Sequence, residues 1–198
     1  RDRLGKKPLY YSTQGNALVF ASELQALLCD PALNREIDPK AVDEYLTYLF
    51  VPHPRTIYRE IYKLPPATHA TFVDGRLSLE RYWQLRYDDI RRDLSAEEAL
   101  EELDDLLQEA VRMRMLADVP VGAFLSGGLD STLVTAMMQK ASSAPVKTFS
   151  IGFEESSFNE LTHARTAAGE LETDHEEYQV GYDVKDLLPN LVRHFGEP

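Results

Sequence analysis

The chain has 198 residues, 43% hydrophobic and 27% charged, with ten Gly and eleven Pro, which is enough apolar material for one or two globular cores. Its formal net charge of −12 argues against nucleic-acid or anionic-membrane partners, and no apolar run reaches the roughly 18 residues of a membrane span. One cysteine, Cys29, makes no internal disulfide, and no signal peptide is visible, so a cytoplasmic setting is expected.

In chain order, Arg1, Arg3, Lys6 and Lys7 form a basic cluster that reads as a solvated loop. Tyr10-Tyr11 and Ala17–Ser22 are β-prone runs around Gln14-Gly15-Asn16, which predicts a hairpin. "ELQALL" predicts a short helix stopped by Asp30-Pro31. Cys29, at the end of that apolar run, is expected to be a buried small hydrophobe rather than a nucleophile. Asp38 and Pro39 are the cap and first position of a second helix, with Val42, Tyr45, Leu46 and Leu49 on one face. Prolines 52 and 54 end it. Alternating residues on both sides of Asp74-Gly75 predict a second hairpin, with Trp83 packed beneath it.

Residues 84–94 are polar and lack an apolar period, the pattern of a linker. Ser95 and Glu98 are spaced as a capping box for a helix whose stripe is Leu100, Leu103, Leu107, Ala110 and Val111, ending near Asp118. Then follow a strand over 119–125, a helix over 130–140, a strand over 146–153, a helix over 157–171 capped by Ser157 and Glu160, a strand over 175–180 and the start of another helix. Strands alternating with helices imply βαβ units and a parallel sheet. The division is 1–86 for a front domain, 87–94 for a linker and 95–198 for an α/β back part.

The chemistry concentrates in "SGGLDS", Ser126–Ser131. Placed between a parallel strand and a helix, it lies where open α/β sheets bind ligands. Gly127 and Gly128 free the backbone, so N–H groups can converge on an anion at the positive end of the helix. Ser126, Ser131 and Thr132 add hydroxyl donors. The lysine of G-x-x-x-x-G-K-[ST] is missing, and Asp130 stands beside the glycines. A carboxylate there either caps the helix or meets phosphate through a divalent cation. The pattern S-G-G-x-D-S fixes five positions, and at roughly 5–7% usage each it arises by chance in about one such chain in a few thousand, which favours a functional loop over a plain glycine-rich turn.

S-G-G-x-D-S resembles the pyrophosphate loop of the ATP-pyrophosphatase superfamily. "AVRMRMLADVPVGAFLSGGLDSTLV", "VKTFSIGFEESSFNEL" and "ETDHEEYQV" resemble the synthetase domain of glutamine-hydrolysing asparagine synthetases. "RDRLGKKPLYY", "VFASELQALL" and "YKLPPATHATFVDGRLSLERYW" are similar to the late part of that family's glutaminase domain. The resemblance implies an adenine nucleotide alpha-hydrolase-like α/β back part, preceded by the α+β C-terminal part of an N-terminal-nucleophile-type glutaminase domain. It implies ATP and Mg²⁺ as cofactors, with glutamine and aspartate as the other small-molecule substrates, and it is compatible with a homodimer. Ser126, Gly127, Gly128, Asp130 and Ser131 would hold pyrophosphate, Asp130 through Mg²⁺, while Leu125 and Ile151 would hold the adenosine portion. Plain strand core is the competing reading for Leu125 and Ile151. Glu197 would approach the acceptor, with an exposed surface carboxylate as the competing reading. The family's N-terminal cysteine nucleophile and second glycine-rich loop have no counterpart here, so an internal piece of a longer protein is expected.

Three other functions compete: a related amidotransferase acting on a polysaccharide precursor or closing a lactam, another ATP-pyrophosphatase enzyme such as a tRNA-modifying or NAD-forming synthetase, and a nucleotide-binding protein without catalysis. The histidines form no H-E-x-x-H motif, and His175-Glu176-Glu177 reads as a polar run on a strand.

Overall fold

A computed structural model describes residues 1–88, 90–153, 159–181 and 184–197, the side chains of 184–186 excepted. The chain divides into two compact units, residues 1–89 with 183–198, and residues 90–182. The expected back part, 95–198, is therefore shared between them, its last sixteen residues belonging with the front of the chain.

The first unit opens with a loop that its own charges organise. The Arg1 guanidinium donates to the carbonyls of Gly5, Lys7 and Leu64 at 2.7, 3.0 and 2.7 Å, and Asp2 accepts the amides of Lys6 and Lys7. Arg1 is thus a staple rather than part of a solvated cluster. Those amide bonds hold the Asp2 carboxyl below its usual range. Strands β1 (Tyr10–Gln14) and β2 (Ala17–Ala21) form the first expected hairpin across Gly15, whose φ is +56°. The short helix α1 (Leu24–Leu27) follows, and Leu24 and Leu27 enter a core with Leu33 and Ile61. Cys29 is exposed, contrary to expectation. It lies beyond the last turn of α1, whose inward positions Leu24 and Leu27 already fill the core.

Helix α2 (Pro39–Tyr48) starts as predicted, with the Asp38 carboxylate accepting the Lys40 amide at 3.0 Å. Its buried side matches the expected face only at Tyr45. Ala41 is buried and Tyr45 packs beside Val51 and Ile57, whereas Leu46 and Leu49 are 73% and 80% exposed. The small Ala41 lets the chain approach closely, a signal that a search for large apolar residues passes over. Strand β3 (Tyr62–Lys63) pairs with β1, giving the order β2-β1-β3. Strands β4 (Thr68–Val73) and β5 (Arg76–Arg81) form the second hairpin, and Asp74 and Gly75 both take positive φ, as a two-residue primed turn requires. Trp83 is half-buried, with the Arg3 guanidinium 5.9 Å from its ring centre.

In the second unit, α3 (Ala96–Met115) carries the predicted capping box. The Ser95 hydroxyl accepts the Glu98 amide and the Glu98 carboxylate accepts the Ser95 amide. The helix stops at Met115, one turn short of the expected end. Only the C-terminal half of its stripe is covered: Val111 is buried and Leu107 partly so, against Met137, Met138 and Val146, whereas Leu100 and Leu103 are 66% and 50% exposed. Strand β6 (Gly122–Phe124), helix α4 (Leu129–Ala141), strand β7 (Lys147–Phe153), helix α5 (Leu161–Glu170) and strand β8 (Asp174–Val180) follow. The strands form a parallel sheet in the order β6-β7-β8. The expected parallel α/β arrangement is therefore present, with β6 shorter and α5 starting four residues later than predicted. Ser157, half of the second expected capping box, lies outside the described residues. Helix α6 (Val184–Phe195) returns to the first unit.

Candidate functional site

The "SGGLDS" segment joins the C-terminal end of β6 to α4. Alternation along β7 explains why the joint is so close. Thr148, Ser150 and Gly152 are buried on one face, small enough for α5 to settle on them. A Cβ on Gly152 would lie 2.3 Å from Leu161 Cδ1. The start of α5 in turn presses on the loop. Gly127 has φ +78°, and a Cβ there would lie 2.3 Å from the His163 carbonyl carbon and 2.5 Å from the Ala164 nitrogen. Glycine at 127 is thus required twice, by its dihedral and by backbone contact. Gly128 differs: its φ is ordinary, and among the described residues a Cβ would meet only Ser126 Oγ at 3.3 Å.

Inside the loop the two serines are tied together. Ser126 Oγ and Ser131 Oγ are 2.9 Å apart, and Ser131 Oγ also accepts the Ser126 amide at 3.3 Å and donates to the Gly128 carbonyl at 3.2 Å. Ser126 Oγ accepts the Gly128 amide at 3.3 Å. The amides of Leu129, Asp130 and Ser131, the first three of α4, have no carbonyl partner within the helix and give this end a positive potential. Thr132 departs from expectation. Its hydroxyl is enclosed without a partner among the described residues and is not presented to the loop's surroundings.

Asp130 is exposed in the first turn of α4, and the cap position is Gly128, with no side-chain capping bond. The capping role considered for Asp130 is therefore not seen. Among the described residues no three or more of His, Cys, Asp and Glu cluster as metal ligands. A cation at Asp130 would take its other ligands from phosphate and water, which is how Mg²⁺ is commonly held.

Beside the loop is a hollow of about 200 Å³ lined by Phe124, Leu125, Ser126, Phe149, Ser150, Ile151, Glu160 and Ala164. It brings together Leu125, Ser126 and Ile151. Leu125 is 1% exposed. Its N–H donates to Phe149 O at 2.9 Å and its carbonyl accepts the Ser150 hydroxyl, so its side chain is core and its amide is already engaged. Ile151 is 48% exposed, an apolar surface rather than strand core. Sequence reading missed Ser150 and Glu160. The small, polar, period-two series Thr148-Ser150-Gly152 was the available signal for Ser150. Glu160, read in the sequence only as the far half of a capping box, sits instead at the cap position of α5, beside the hollow.

Two further residues singled out in the sequence are enclosed. His175 is 11% exposed in its side chain, with Nδ1 2.9 Å from the Thr148 hydroxyl and Nε2 3.6 Å from Glu177. Arg165 holds Glu177 in a two-pronged pair that keeps its carboxyl below the usual range. Glu197 lies in the first unit rather than on an open surface, its side chain 12% exposed and ion-paired with Lys63. Burial, then the Glu197 charge, push the Tyr10 phenol above its ordinary range, with Arg1 opposing.

Comparison with known proteins agrees with both halves of the chain. The family described as glutamine amidotransferase domain matches residues 1–83, and the family described as asparagine synthase matches residues 102–198. Asparagine synthetase [glutamine-hydrolyzing] 1 of Bacillus subtilis is 33% identical over the whole chain, which covers 31% of that protein. Asparagine synthetase [glutamine-hydrolyzing] 3 of the same organism is 35% identical over 78% of the chain and 26% of its own length. Amidase chry2 of Gibberella zeae is 34% identical over 70% of the chain and 20% of its own length. The chain spans about two fifths or less of these and of a 36% identical relative from Methanocaldococcus jannaschii. With the two family matches in that order, the chain belongs to the glutamine-hydrolysing asparagine synthetase family.

Proposed function

We propose that the whole protein is an ATP-dependent amide-forming ligase that takes ammonia from glutamine and has the β-carboxylate of aspartate as acceptor. The observation that carries this reading is Asp130: an exposed carboxylate in the first turn of a helix that it does not cap, three residues after a glycine pressed against α5. A bare carboxylate at the positive end of a helix repels polyphosphate unless a cation lies between them, and Mg²⁺ bound there would offset charge on a departing pyrophosphate.

On this reading, the Ser126 and Ser131 hydroxyls and the first amides of α4 bind the β and γ phosphates, and the hollow beside Ile151 takes the adenosine. An acceptor carboxylate oxygen attacks the α-phosphorus, and the bond to the bridging oxygen breaks with its electrons leaving on pyrophosphate. Ammonia then attacks the acyl carbon. AMP leaves with the electrons of the carbon–oxygen bond, and the nitrogen loses a proton. Adenylation is needed because a free carboxylate is a poor electrophile. The missing lysine is consistent with this chemistry, since no γ-phosphoryl group is transferred.

The test is ATP–pyrophosphate exchange by the full-length protein. Exchange that depends on aspartate and is lost in Asp130→Asn, with unfolding stability changed by less than about 0.5 kcal/mol, supports the proposal. Persistent exchange in Asp130→Asn refutes the role given to that residue. A second reading is the same activation with another acceptor, since one relative, 34% identical over 70% of the chain, is named an amidase and not an asparagine synthetase. Exchange with a different carboxylic acid but not with aspartate would select it. ATP binding without any exchange would mean a nucleotide-binding relative.

A further inference from the structure

Residues 102–198 match the asparagine synthase family, yet residues 183–198 fold with the unit that contains the amidotransferase match over 1–83. Their attachment is specific. Helix α6 closes with the Gly196 amide on Val192 O at 2.9 Å. Gly196 has φ +78°, and a Cβ there would lie 3.2 Å from Leu24 Cβ. This turn delivers Glu197 into the unit, where one carboxylate oxygen accepts the Ile57 amide at 3.2 Å and the other pairs with Lys63 Nζ.

Both partners are otherwise committed to the same place. Lys63 Nζ also donates to Val51 O at 2.6 Å, and the two side chains are 15% and 12% exposed. Ile57 is buried, and its carbonyl accepts the Asp38 amide at 2.9 Å. Glu197 therefore supplies the acceptor for a part-buried amide and the counter-charge for a mostly enclosed lysine. Both are groups that are costly to leave alone.

We propose that Glu197 is a positioning residue: it pins the returning segment to Ile57 and Lys63, and through that pin keeps amide formation in step with glutamine hydrolysis. This rests on the ligase reading above. The chain leaves the first unit after Asp89 and rejoins it at Asp183, so the pin acts on a covalent connection. A residue that touched the acceptor would behave differently, because its partner would be substrate and not Lys63.

The experiment compares Lys63→Met, Glu197→Ala and the double variant in the full-length protein. Each single change is expected to raise glutamate formed per amide formed about threefold to tenfold, with the double variant no worse than the worse single, because both remove one pair. Exchange of the Ile57 amide hydrogen should quicken about tenfold or more in Glu197→Ala, while the aspartate KM with ammonium as donor stays within about twofold in Lys63→Met and Glu197→Ala. A raised aspartate KM in Glu197→Ala alone, with Lys63→Met still fully coupled, overturns the proposal in favour of acceptor contact. Unchanged coupling in all three variants overturns it as well. If the unaltered protein forms no amide from any donor, the ligase reading has failed, and the coupling role fails with it. The Ile57 exchange rate then decides the pin alone, and an unchanged rate in Glu197→Ala overturns that too.

Discussion

Replacing Gly127 by alanine separates steric need from simple glycine preference. At φ +78°, a Cβ costs about 1–2 kcal/mol in the left-handed region. The same atom would lie 2.3 Å from the His163 carbonyl carbon, 2.5 Å from Ala164 N and 2.6 Å from His163 Cβ. None of these is the end of a flexible side chain, so the start of α5 must move, at about 1–3 kcal/mol for overpacking. Together Gly127→Ala is expected to destabilise the protein by about 2–5 kcal/mol. Gly128→Ala is the control. Among the described residues its Cβ meets only a serine hydroxyl at 3.3 Å and its φ is ordinary, so it should cost less than about 1 kcal/mol, the loss of a modest N-cap preference. Urea unfolding followed by circular dichroism measures both. Equal costs for the two variants, or a cost below about 1 kcal/mol for Gly127→Ala, would refute the claim that α5 presses on this loop.

Two more outcomes follow from α3. Ser95→Ala should cost about 0.5–2 kcal/mol through loss of the cap, measured by thermal unfolding. The Ser95 amide, the largest cause, and the Ser95 hydroxyl hold Glu98 below its usual range. Its contribution is therefore full above the unfolded Glu value and fades as pH falls through the lower folded value. On acidification from pH 7, Glu98→Gln should lose less stability than the unaltered protein, and an equal loss in both would refute the capping role. Val111→Ala should destabilise by about 1.5–3 kcal/mol because it opens space against Met137, Met138 and Val146. Leu100→Ala should stay within about 0.5 kcal/mol, since that side chain is 66% exposed. Similar costs for the two would mean that the covered half of the helix is misassigned.

Local rules made much of the fold legible before any coordinates. Hairpins at Gly15 and Asp74-Gly75, the Asp38 cap and the Ser95–Glu98 box all depend on residues within a few positions of one another, and all four form as expected. The alternation of strands and helices after residue 119 likewise led to a parallel sheet. The apolar faces were less legible. Periodicity marks which residues share a side of a helix, but only a neighbour decides which part of that side is covered. Leu46, Leu49, Leu100 and Leu103 satisfy the pattern and remain exposed. Cys29 was misread for the same reason: burial depends on chain segments distant in sequence.

The sequence alone determined which groups stand together, and with them the expectation of an anion loop without lysine. That expectation needs no fold, because backbone amides, hydroxyls and one carboxylate are properties of S-G-G-x-D-S in that order. Tertiary structure decided what each residue is free to do. It made Gly127 obligatory through α5, enclosed Thr132, left Asp130 open and not capping α4, and placed Glu197 on Lys63, 134 positions away in the numbering. Those outcomes depend on long-range packing, and packing is a property of the folded chain rather than of any stretch of it.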